Sequence, residues 1–336
     1  MGQRPSAPRV VRRDGGATPA GTGGRRAHPA APTPLTVGAA RTRADGRRAT
    51  VAFAKEWRED AARRDFTINA LFAHPETLEI SDYFGGLDDL AKRRVRFIGD
   101  ARERIFEDHL RILRYYRFQA RFGAKLDAEA EDACAELAGT MRSLSRERVS
   151  GELLAILSLP SPAATIARMH ANGVLGVVLP EATAATVRNL DALVKHEAAT
   201  GTPSNGLRRL SALLPEIESV AESVAARLRL SRKQRAHLAC VARRKSSDPL
   251  RARALGYNHG MECARDRLLL AGASLEALAG WEPPQLPIRG GQIVERGLAT
   301  GPGVAKLLQA VEAQWIEEGF PDRARVEAIL EELSGG

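Results

Sequence analysis

The most constraining feature of this sequence is the succession of helix-forming segments that fills residues 100–336. Apolar residues recur there at helical spacing, and Gly, Pro and Ser separate the segments. No segment in this part has the alternating apolar and polar pattern of a strand. We therefore expect an all-helical body. Helices are predicted at 101–122, 127–138, 145–157, 163–172, 183–199, 206–228, 231–245, 259–280, 303–318 and 321–333.

Residues 49–99 have a mixed pattern of short strand-like runs and one helical run. Strands are predicted at 49–54, 77–81 and 94–98. The apolar spacing between 59 and 72 predicts a helix, and the Tyr-Phe-Gly-Gly run at 83–86 is typical of a turn. Three strands are few for an independent sheet. The predicted fold class is therefore α-rich α+β, with few strands near the N terminus and a long helical remainder.

Residues 1–48 carry most of the excess positive charge. The whole chain has 50 Lys and Arg residues against 41 Asp and Glu residues, a formal charge of +9, and this segment holds ten arginines and two aspartates. RNA binding by the remainder must therefore depend on local clusters. The segment is rich in Gly, Pro and Ala and poor in large apolar residues, so we expect it to be disordered. It is either a basic arm that contacts phosphates or non-native sequence, and its lack of lysine favours the second interpretation.

The three cysteines, Cys134, Cys240 and Cys263, lie far apart, which fits neither a disulfide framework nor the spacing of metal ligands. We expect buried free thiols. No apolar run approaches the roughly 20 residues that cross a bilayer, and the first residues lack the apolar segment of a secretory signal. We therefore predict a cytoplasmic protein with no membrane partner.

The helix predicted at 101–122 carries an arginine stripe. Three- and four-residue spacings place on one helix face Arg111, Arg114, Arg117 and Arg121. Glu107 and Asp108 come one turn earlier. The stripe is either a solvated face with surface ion pairs worth about 0.3–0.5 kcal/mol each, or a base reader. A carboxylate beside a guanidinium offers acceptors and forked donors in one plane, as recognition of a nucleobase edge requires.

A second basic and acidic run, Arg-Arg-Asp-Phe-Thr-Ile-Asn-Ala-Leu, occupies residues 63–71. One interpretation is an amphipathic helix capped by Asp65. The other is chemical: the adjacent arginines Arg63 and Arg64 suit triphosphate oxygens, and Asp65 and Asn69, four residues apart, suit ribose hydroxyls.

Five short motifs follow one another between residues 63 and 153. They are the run at 63–71, Asp-Tyr-Phe-Gly-Gly-Leu-Asp-Asp-Leu at 82–90, Arg-Val-Arg-Phe-Ile-Gly-Asp at 94–100, Glu-Asp-x-x-Arg-x-x-Arg at 107–114 and Glu-Arg-x-x-x-Glu-Leu at 147–153. In order and spacing they resemble the motifs of bacterial tRNA nucleotidyltransferases, the CCA-adding enzymes of the class shared with bacterial poly(A) polymerases. The resemblance is strong over residues 46–180 and weaker from there to the C terminus.

The resemblance implies an enzyme that adds C, C and A to tRNA 3′ ends from CTP and ATP, with Mg²⁺ as cofactor and tRNA as partner. In that family the Glu-Asp-x-x-Arg motif pairs with the incoming base, and the Arg-Arg-Asp motif contacts its ribose and phosphates. Carried over, nucleotide binding falls on Arg63, Arg64, Asp65, Asn69, Glu107, Asp108, Arg111 and Arg114.

The resemblance also implies a domain order. Residues 49–99 would be a partial, truncated nucleotidyltransferase head, 100–160 a helical neck that binds the base, and 161–336 a helical body and tail that bind tRNA. Gly85, Gly86 and Asp88 would belong to a flexible element between head and neck.

The sequence departs from the family upstream of Arg63. The family's head holds its magnesium ions with an Asp-x-Asp pair that follows a Gly-Gly, Arg-Asp motif, and neither occurs before residue 63. No catalytic residue or metal ligand is therefore assigned, and we expect transfer to be impaired in this chain. Two other functions stay open: a poly(A) polymerase, which the motifs separate poorly from a CCA-adding enzyme, and a non-catalytic RNA-binding fragment.

Overall fold

The computed structural model describes the backbone of residues 9–11, 39–45, 48–53 and 56–334, and the side chains of residues 56–334. The chain forms two compact units, Met1–Pro180 and Glu181–Gly336. Helices dominate both units, and every described strand lies in the first, which agrees with the predicted α-rich α+β class.

The described strands of the first unit form two small antiparallel sheets. They are β1 (Arg9–Val11), β2 (Ala39–Asp45), β3 (Arg48–Phe53), β4 (Leu71–Ala73) and β5 (Ile80–Asp82). One sheet has the order β1-β5-β4, and β2 pairs with β3 in the other. β3 confirms the strand predicted at 49–54. β1 and β2 lie within residues 1–48, and the rest of that segment, for which the sequence predicts disorder, lies outside the described residues.

Two other predicted strands are corrected by the structure. The strand predicted at 77–81 is displaced toward the C terminus, because β5 covers residues 80–82. The segment predicted as a strand at 94–98 makes only two isolated bridges, Phe66 with Phe97 and Arg94 with Lys125. It faces single residues rather than a neighbouring strand, so no ladder can form.

The helices of the first unit are α1 (Trp57–Ala62), α2 (Gly86–Ala91), α3 (Ala101–Glu107), α4 (Arg111–Phe122), α5 (Ala128–Glu136), α6 (Arg146–Leu157), α7 (Ala163–Ala171) and α8 (Val174–Val178), with 3₁₀ turns at Thr67–Asn69 and Ala138–Ser143. Ser145 caps α6, as expected, because its side chain accepts from the Arg148 N–H. The residues predicted to bind a nucleotide all belong to the first unit, on these elements or on the connections after α1 and between α3 and α4.

The helix predicted at 59–72 is wrong beyond residue 62. After α1 the chain extends, so that the Thr67 N–H donates to the Arg96 carbonyl and the Ile98 N–H donates to the Asp65 carbonyl, each at 3.1 Å. Phe66 is fully buried between these contacts. Tertiary pairing and burial of this ring therefore override the helical spacing of the sequence.

The single helix predicted at 101–122 is two helices. α3 ends at Glu107, Asp108 has an extended backbone (φ −152°, ψ 103°), and α4 begins at Arg111. The Asp108 Oδ1 atom accepts from the Leu110 N–H at 3.1 Å. Such local side-chain bonding competes with helical hydrogen bonding and explains the break.

The predicted boundary at residue 160 lies inside the first unit. α7 packs on α4 and α8, and Asn172 donates to the Tyr116 hydroxyl at 3.0 Å. These contacts tie the helices after residue 160 to α4, so the first unit extends to Pro180.

The described helices of the second unit are α9 (Ala184–Ala199), α10 (Gly206–Ala212), α11 (Glu218–Arg227), α12 (Arg232–Ala242), α13 (Ala252–His259), α14 (Met261–Leu270), α15 (Gly290–Glu295), α16 (Pro302–Glu317) and α17 (Arg323–Ser334). The helix predicted at 206–228 is broken at Pro215, and the one predicted at 259–280 ends at Leu270. Trp315 is 1% exposed in the apolar core formed by α15, α16 and α17.

The prediction of three free thiols is wrong for two of them. α12 packs against α14, and Cys240 and Cys263 on these helices form a disulfide. Cys134 is a buried free thiol, as expected. Burial raises the pKa of Cys134 well above its usual value.

No helix within residues 56–334 is long and apolar enough to span a bilayer.

Candidate nucleotide-binding site

Asp65 lies in the extended turn after α1 and is 6% exposed. Its Oδ1 atom accepts from the Phe66 N–H and from Asn69 Nδ2, both at 2.9 Å. Its Oδ2 atom accepts from Arg114 on α4, with Nε at 2.7 Å and Nη2 at 2.6 Å. The two motifs that the sequence places about 50 residues apart are thus joined by a buried carboxylate.

Arg63 and Arg64 share one carboxylate, Asp60, at the end of α1. Arg63 Nε donates to Asp60 Oδ1 at 2.8 Å, and Arg64 Nη2 donates to Oδ2 at 3.0 Å. Burial acts most strongly on the Asp60 pKa and raises it, but the two guanidinium groups together bring that pKa below its ordinary value. Asp60 therefore stays ionised and fixes both arginines.

The side chains of Asp108 and Arg111, which the resemblance assigns to the base, make no hydrogen bond to each other, although the Arg111 N–H donates to the Asp108 carbonyl at 2.9 Å. Asp108 Oδ2 accepts from Arg148 Nη2 on α6 at 2.6 Å. Arg111 Nη1 donates to Glu107 at 2.6 Å, and its Nη2 donates to the Arg63 carbonyl at 2.9 Å. Each group is held by other neighbours, so the break between α3 and α4 presents an oriented carboxylate beside an oriented guanidinium.

One cleft of about 470 Å³ collects most of these side chains. Its lining consists of Arg63, Arg64, Asp65, Asn69, Asp108, Arg111, Arg114 and Phe118. Seven of the eight predicted residues are therefore together. Glu107 is outside the lining and acts on the cleft through Arg111. With four guanidinium groups and two carboxylates, the lining favours an anionic ligand that also carries amino or hydroxyl donors.

Sequence reasoning missed three residues that shape this cleft. Phe118 lines it, and the Arg114 guanidinium lies 5.6 Å from the centre of the Phe118 ring. Asp60 was detectable, because it lies three and four residues before Arg63 and Arg64 on a helix. Arg148 gave no signal as a partner of Asp108, since the two lie 40 residues apart.

A buried turn connects the sheet of β4 and β5 to α2. Asp82 accepts from the backbone N–H groups of Phe84, Gly85, Gly86 and Leu87 at 2.9–3.2 Å. Burial acts most strongly on the Asp82 pKa and raises it, but the four N–H donors together lower it below the ordinary value. The motif interpreted as a flexible element is thus fixed by a single carboxylate.

The structure gives no ligand set for the Mg²⁺ that the resemblance implies. No group of three His, Cys, Asp or Glu side chains within residues 56–334 is placed to hold a metal ion. The two acidic groups nearest the Arg-Arg-Asp motif, Asp60 and Asp65, are each bonded to arginines. The described residues therefore do not fit a metal centre.

Comparisons with known proteins identify the family. The family model for the poly(A) polymerase head domain matches residues 31–96 of this chain. A second family model, for the probable RNA- and SrmB-binding site of polymerase A, matches residues 123–186. Human mitochondrial CCA tRNA nucleotidyltransferase 1 is 30% identical over 302 residues, which cover 82% of this chain and 67% of the human protein. A CCA-adding enzyme of Streptococcus pneumoniae (serotype 19F, strain G54) is 45% identical over 114 residues, 34% of this chain and 28% of that protein.

Solved structures have the same fold. The Thermotoga maritima CCA-adding enzyme complexed with tRNA-CCA matches with a TM-score of 0.62 and 22% identity, over 83% of this chain and 73% of that chain. The Bacillus stearothermophilus CCA-adding enzyme in complex with CTP matches with a TM-score of 0.63 and 22% identity, over 84% and 75%.

Fold and motifs thus define a template-independent nucleotidyltransferase class. The chain belongs to the family of CCA-adding tRNA nucleotidyltransferases and bacterial poly(A) polymerases. The head-domain match begins at residue 31, which argues against a non-native origin for residues 31–48.

Proposed function

We propose that this chain is a CCA-adding tRNA nucleotidyltransferase whose cleft in the first unit binds the incoming CTP or ATP. The observation that carries the proposal is the convergence of seven predicted residues on one cleft of about 470 Å³. This volume lies within the roughly 300–1,000 Å³ of typical small-molecule sites. The tRNA would be the second substrate, and a cytoplasmic location stays a prediction from the sequence.

The pairing edges of the bases explain how such a cleft would choose CTP and ATP. Cytosine and adenine each present an amino group beside a ring nitrogen that accepts a hydrogen bond. Uracil and guanine present a carbonyl oxygen beside a ring N–H. Asp108 can only accept and Arg111 can only donate, so the pair matches the first two bases and leaves unpaired groups against the other two.

The Arg-Arg-Asp turn supports the rest of the nucleotide. The Arg64 side chain is 45% exposed while Asp60 holds it, so it can bind a phosphate with its outward donors. Asp65 already accepts from Arg114 and Asn69. We assign Asp65 to the orientation of these two side chains, and Asn69 to the ribose hydroxyls.

Transfer itself is proposed to be impaired in this chain. Magnesium, when bound in this family, activates the 3′ hydroxyl and neutralises the leaving pyrophosphate. Within residues 56–334 no carboxylate cluster fits it, and no Asp-x-Asp pair precedes Arg63 in the sequence. The residues of the cleft bind and orient the nucleotide, and its two carboxylates, Asp65 and Asp108, are each paired with an arginine.

The test combines nucleotide binding with nucleotide addition. The chain is incubated with a tRNA that lacks its 3′ CCA, Mg²⁺ and labelled CTP and ATP, and binding of each nucleotide is measured in parallel. We expect CTP and ATP to bind, Arg111→Gln to bind at least about tenfold more weakly, and little or no addition. Arg121→Gln is the matched control, since Arg121 belongs to the same stripe but does not line the cleft.

Each other outcome is informative. Efficient addition of C, C and A would refute the impairment. Binding and use of ATP alone, with untemplated A tails, would favour the poly(A) polymerase. A chain that binds tRNA but neither nucleotide would be the non-catalytic RNA-binding fragment, and the proposed role of the cleft would be wrong.

A further inference from the structure

A second concave site, which we call the C-terminal basic pocket, lies within the second unit and has a volume of about 360 Å³. Its walls come from the end of α12, the 3₁₀ turn Asp248–Arg251, α13 and α14. Among its lining residues Asp248 is the one carboxylate. The cationic lining residues are Arg243, Lys245, Arg251 and Arg267.

The carboxylate of Asp248 is saturated by its own neighbours. Arg267 Nε donates to its Oδ2 atom and Arg267 Nη2 to its Oδ1 atom, both at 2.7 Å. The Lys245 N–H donates to Oδ2 at 2.9 Å. Asp248 therefore balances one buried guanidinium. Arg243 and Arg251 pair with carboxylates outside the lining, Glu218 and Glu317 respectively, so Lys245 is the cation of the lining that has no carboxylate partner within residues 56–334.

Two cationic groups of the pocket keep unused donors. Arg267 is 3% exposed, and its Nη2 also donates to the Arg243 carbonyl at 2.9 Å, but its Nη1 has no hydrogen bond to any residue within 56–334. The Lys245 ammonium likewise has no carboxylate partner there. Neither donor is among the buried side-chain atoms without a partner in residues 56–334, so both reach solvent and are open to a bound anion.

The pKa of His259, which lies at the edge of the pocket, depends on the positive charges around it. Burial lowers the pKa of His259 first, and the nearby charges of Arg267 and Arg243 lower it further, while Asp248 opposes them. The imidazole of His259 is therefore neutral at pH 7, and it can accept a proton when an anion binds beside it.

We propose that the C-terminal basic pocket binds a phosphate ester. The forked donors of Arg267 and Arg243 match phosphate oxygens, and Lys245 adds a mobile point charge. Ser247 and Asn258 offer hydroxyl and amide donors beside the apolar side chain of Leu255, which suits the sugar attached to the phosphate. The pocket shares no residue with the proposed nucleotide-binding cleft. A free phosphate ester in it would go beyond the proposed function, whereas an RNA phosphate would rest on the proposed tRNA substrate.

The phosphate ester can come from a free mononucleotide or from an RNA backbone, and the test distinguishes them. Histidine C2 proton resonances of the full chain are followed over pH 5–8 in phosphate-free buffer, alone and with inorganic phosphate, CMP or a tRNA lacking its 3′ CCA. His259→Asn assigns the His259 resonance. The variants are Lys245→Gln and, as matched control, Lys233→Gln, an 87% exposed lysine of α12 outside the pocket.

We expect a bound phosphate ester to raise the pKa of His259, and Lys245→Gln to weaken that ligand roughly fivefold while Lys233→Gln has no effect. A response to CMP and inorganic phosphate identifies a free phosphate ester as the source. A response to tRNA alone identifies the RNA backbone, and Lys245→Gln should then reduce the slope of log Kd against log salt by about one.

The proposal is overturned if none of the three ligands changes the His259 pKa, or if Lys245→Gln and Lys233→Gln bind the ligand equally. The His259 readout is local and needs no nucleotide transfer. A chain that shows it but binds no CTP in the first unit would support the pocket and refute the proposed function, so the two failures are separable.

Discussion

The ion pair between Arg148 and Asp108 leads to a selective prediction about nucleotide recognition. Arg148 Nη2 lies 2.6 Å from Asp108 Oδ2, while the Leu110 N–H holds Oδ1. The two side chains are 49% and 34% exposed, so the pair adds less than about 1 kcal/mol to stability. Arg148→Gln should leave the fold intact and release Asp108 from its single orientation.

The expected size of the defect follows from two terms. Without Arg148, only the Leu110 N–H orients the Asp108 carboxylate, and sampling of about three side-chain rotamers would reduce the productive one by at most roughly a factor of three. Loss of a partly screened charge pair, worth about 0.2–1 kcal/mol, adds a further small factor. CTP binding should therefore weaken roughly five- to tenfold. UTP binding should hardly change, because its carbonyl oxygen gains nothing from an oriented Asp108.

The assay is equilibrium dialysis of the chain with labelled CTP and UTP, reported as the ratio of the two affinities. Arg148→Lys should recover part of the ratio, since an ammonium can still pair with Asp108. Arg146→Gln removes a guanidinium from the same helix and serves as the control. If Arg148→Gln weakens CTP and UTP equally, Arg148 acts only through net charge, and the argument from orientation is refuted.

Three further predictions concern stability. Gly86→Ala should destabilise the first unit by about 1–3 kcal/mol in urea unfolding, because an added Cβ would lie 2.2 Å from the Thr67 carbonyl oxygen. An unchanged urea midpoint would mean that this turn relaxes to admit the methyl group. The native pKa of Asp82 is lowered below its unfolded value, so ionised Asp82 stabilises the fold above about pH 4 and loses this effect as the pH falls through the lowered pKa. Between pH 5 and pH 2 the melting temperature should therefore decline less for Asp82→Asn than for the parent chain. Replacing both Cys240 and Cys263 by Ala removes a disulfide between residues 23 positions apart and should lower the free energy of unfolding by about 3 kcal/mol. The measurement is chemical denaturation of the oxidised parent chain and of the variant. Equal midpoints would indicate that the two sulfurs are not bonded in solution.

The sequence predicts which side chains share the cleft better than it predicts their hydrogen-bond partners. Residues 63–71 and 107–114 were assigned to one nucleotide by resemblance, and seven of the eight assigned side chains line one cleft. Their hydrogen-bond partners depend on how α4 packs against α6. Helical periodicity contains no information on that packing, so neither the Arg148 contact with Asp108 nor the Arg117 contact with Glu152 could be anticipated.

The predicted boundaries of helices are wrong where a side chain competes with the backbone for hydrogen bonds. The helix predicted through residue 108 has helical periodicity on both sides, yet Asp108 bonds the Leu110 N–H and ends α3. The disulfide was missed for a related reason. Cys240 and Cys263 lie on different helices, and only the packing of α12 on α14 brings them together.

Arg114 connects the two halves of the cleft, and this double role limits how its variants can be interpreted. Its guanidinium bonds the buried Asp65 at 2.6 Å and lies 3.7 Å from Glu152, which is held in turn by Arg117. Removing Arg114 would leave the Asp65 carboxylate buried and without its cation, and such a loss is far more costly than loss of a surface pair. A binding defect in Arg114→Ala would therefore combine a displaced Arg-Arg-Asp turn with the loss of a guanidinium from the cleft lining. The Arg111 side chain bonds Glu107 and two backbone carbonyls, so its replacement leaves no buried charge behind. Loss of Arg111 therefore disturbs the Arg-Arg-Asp turn less than loss of Arg114, and Arg111→Gln is the better test of the proposed base recognition.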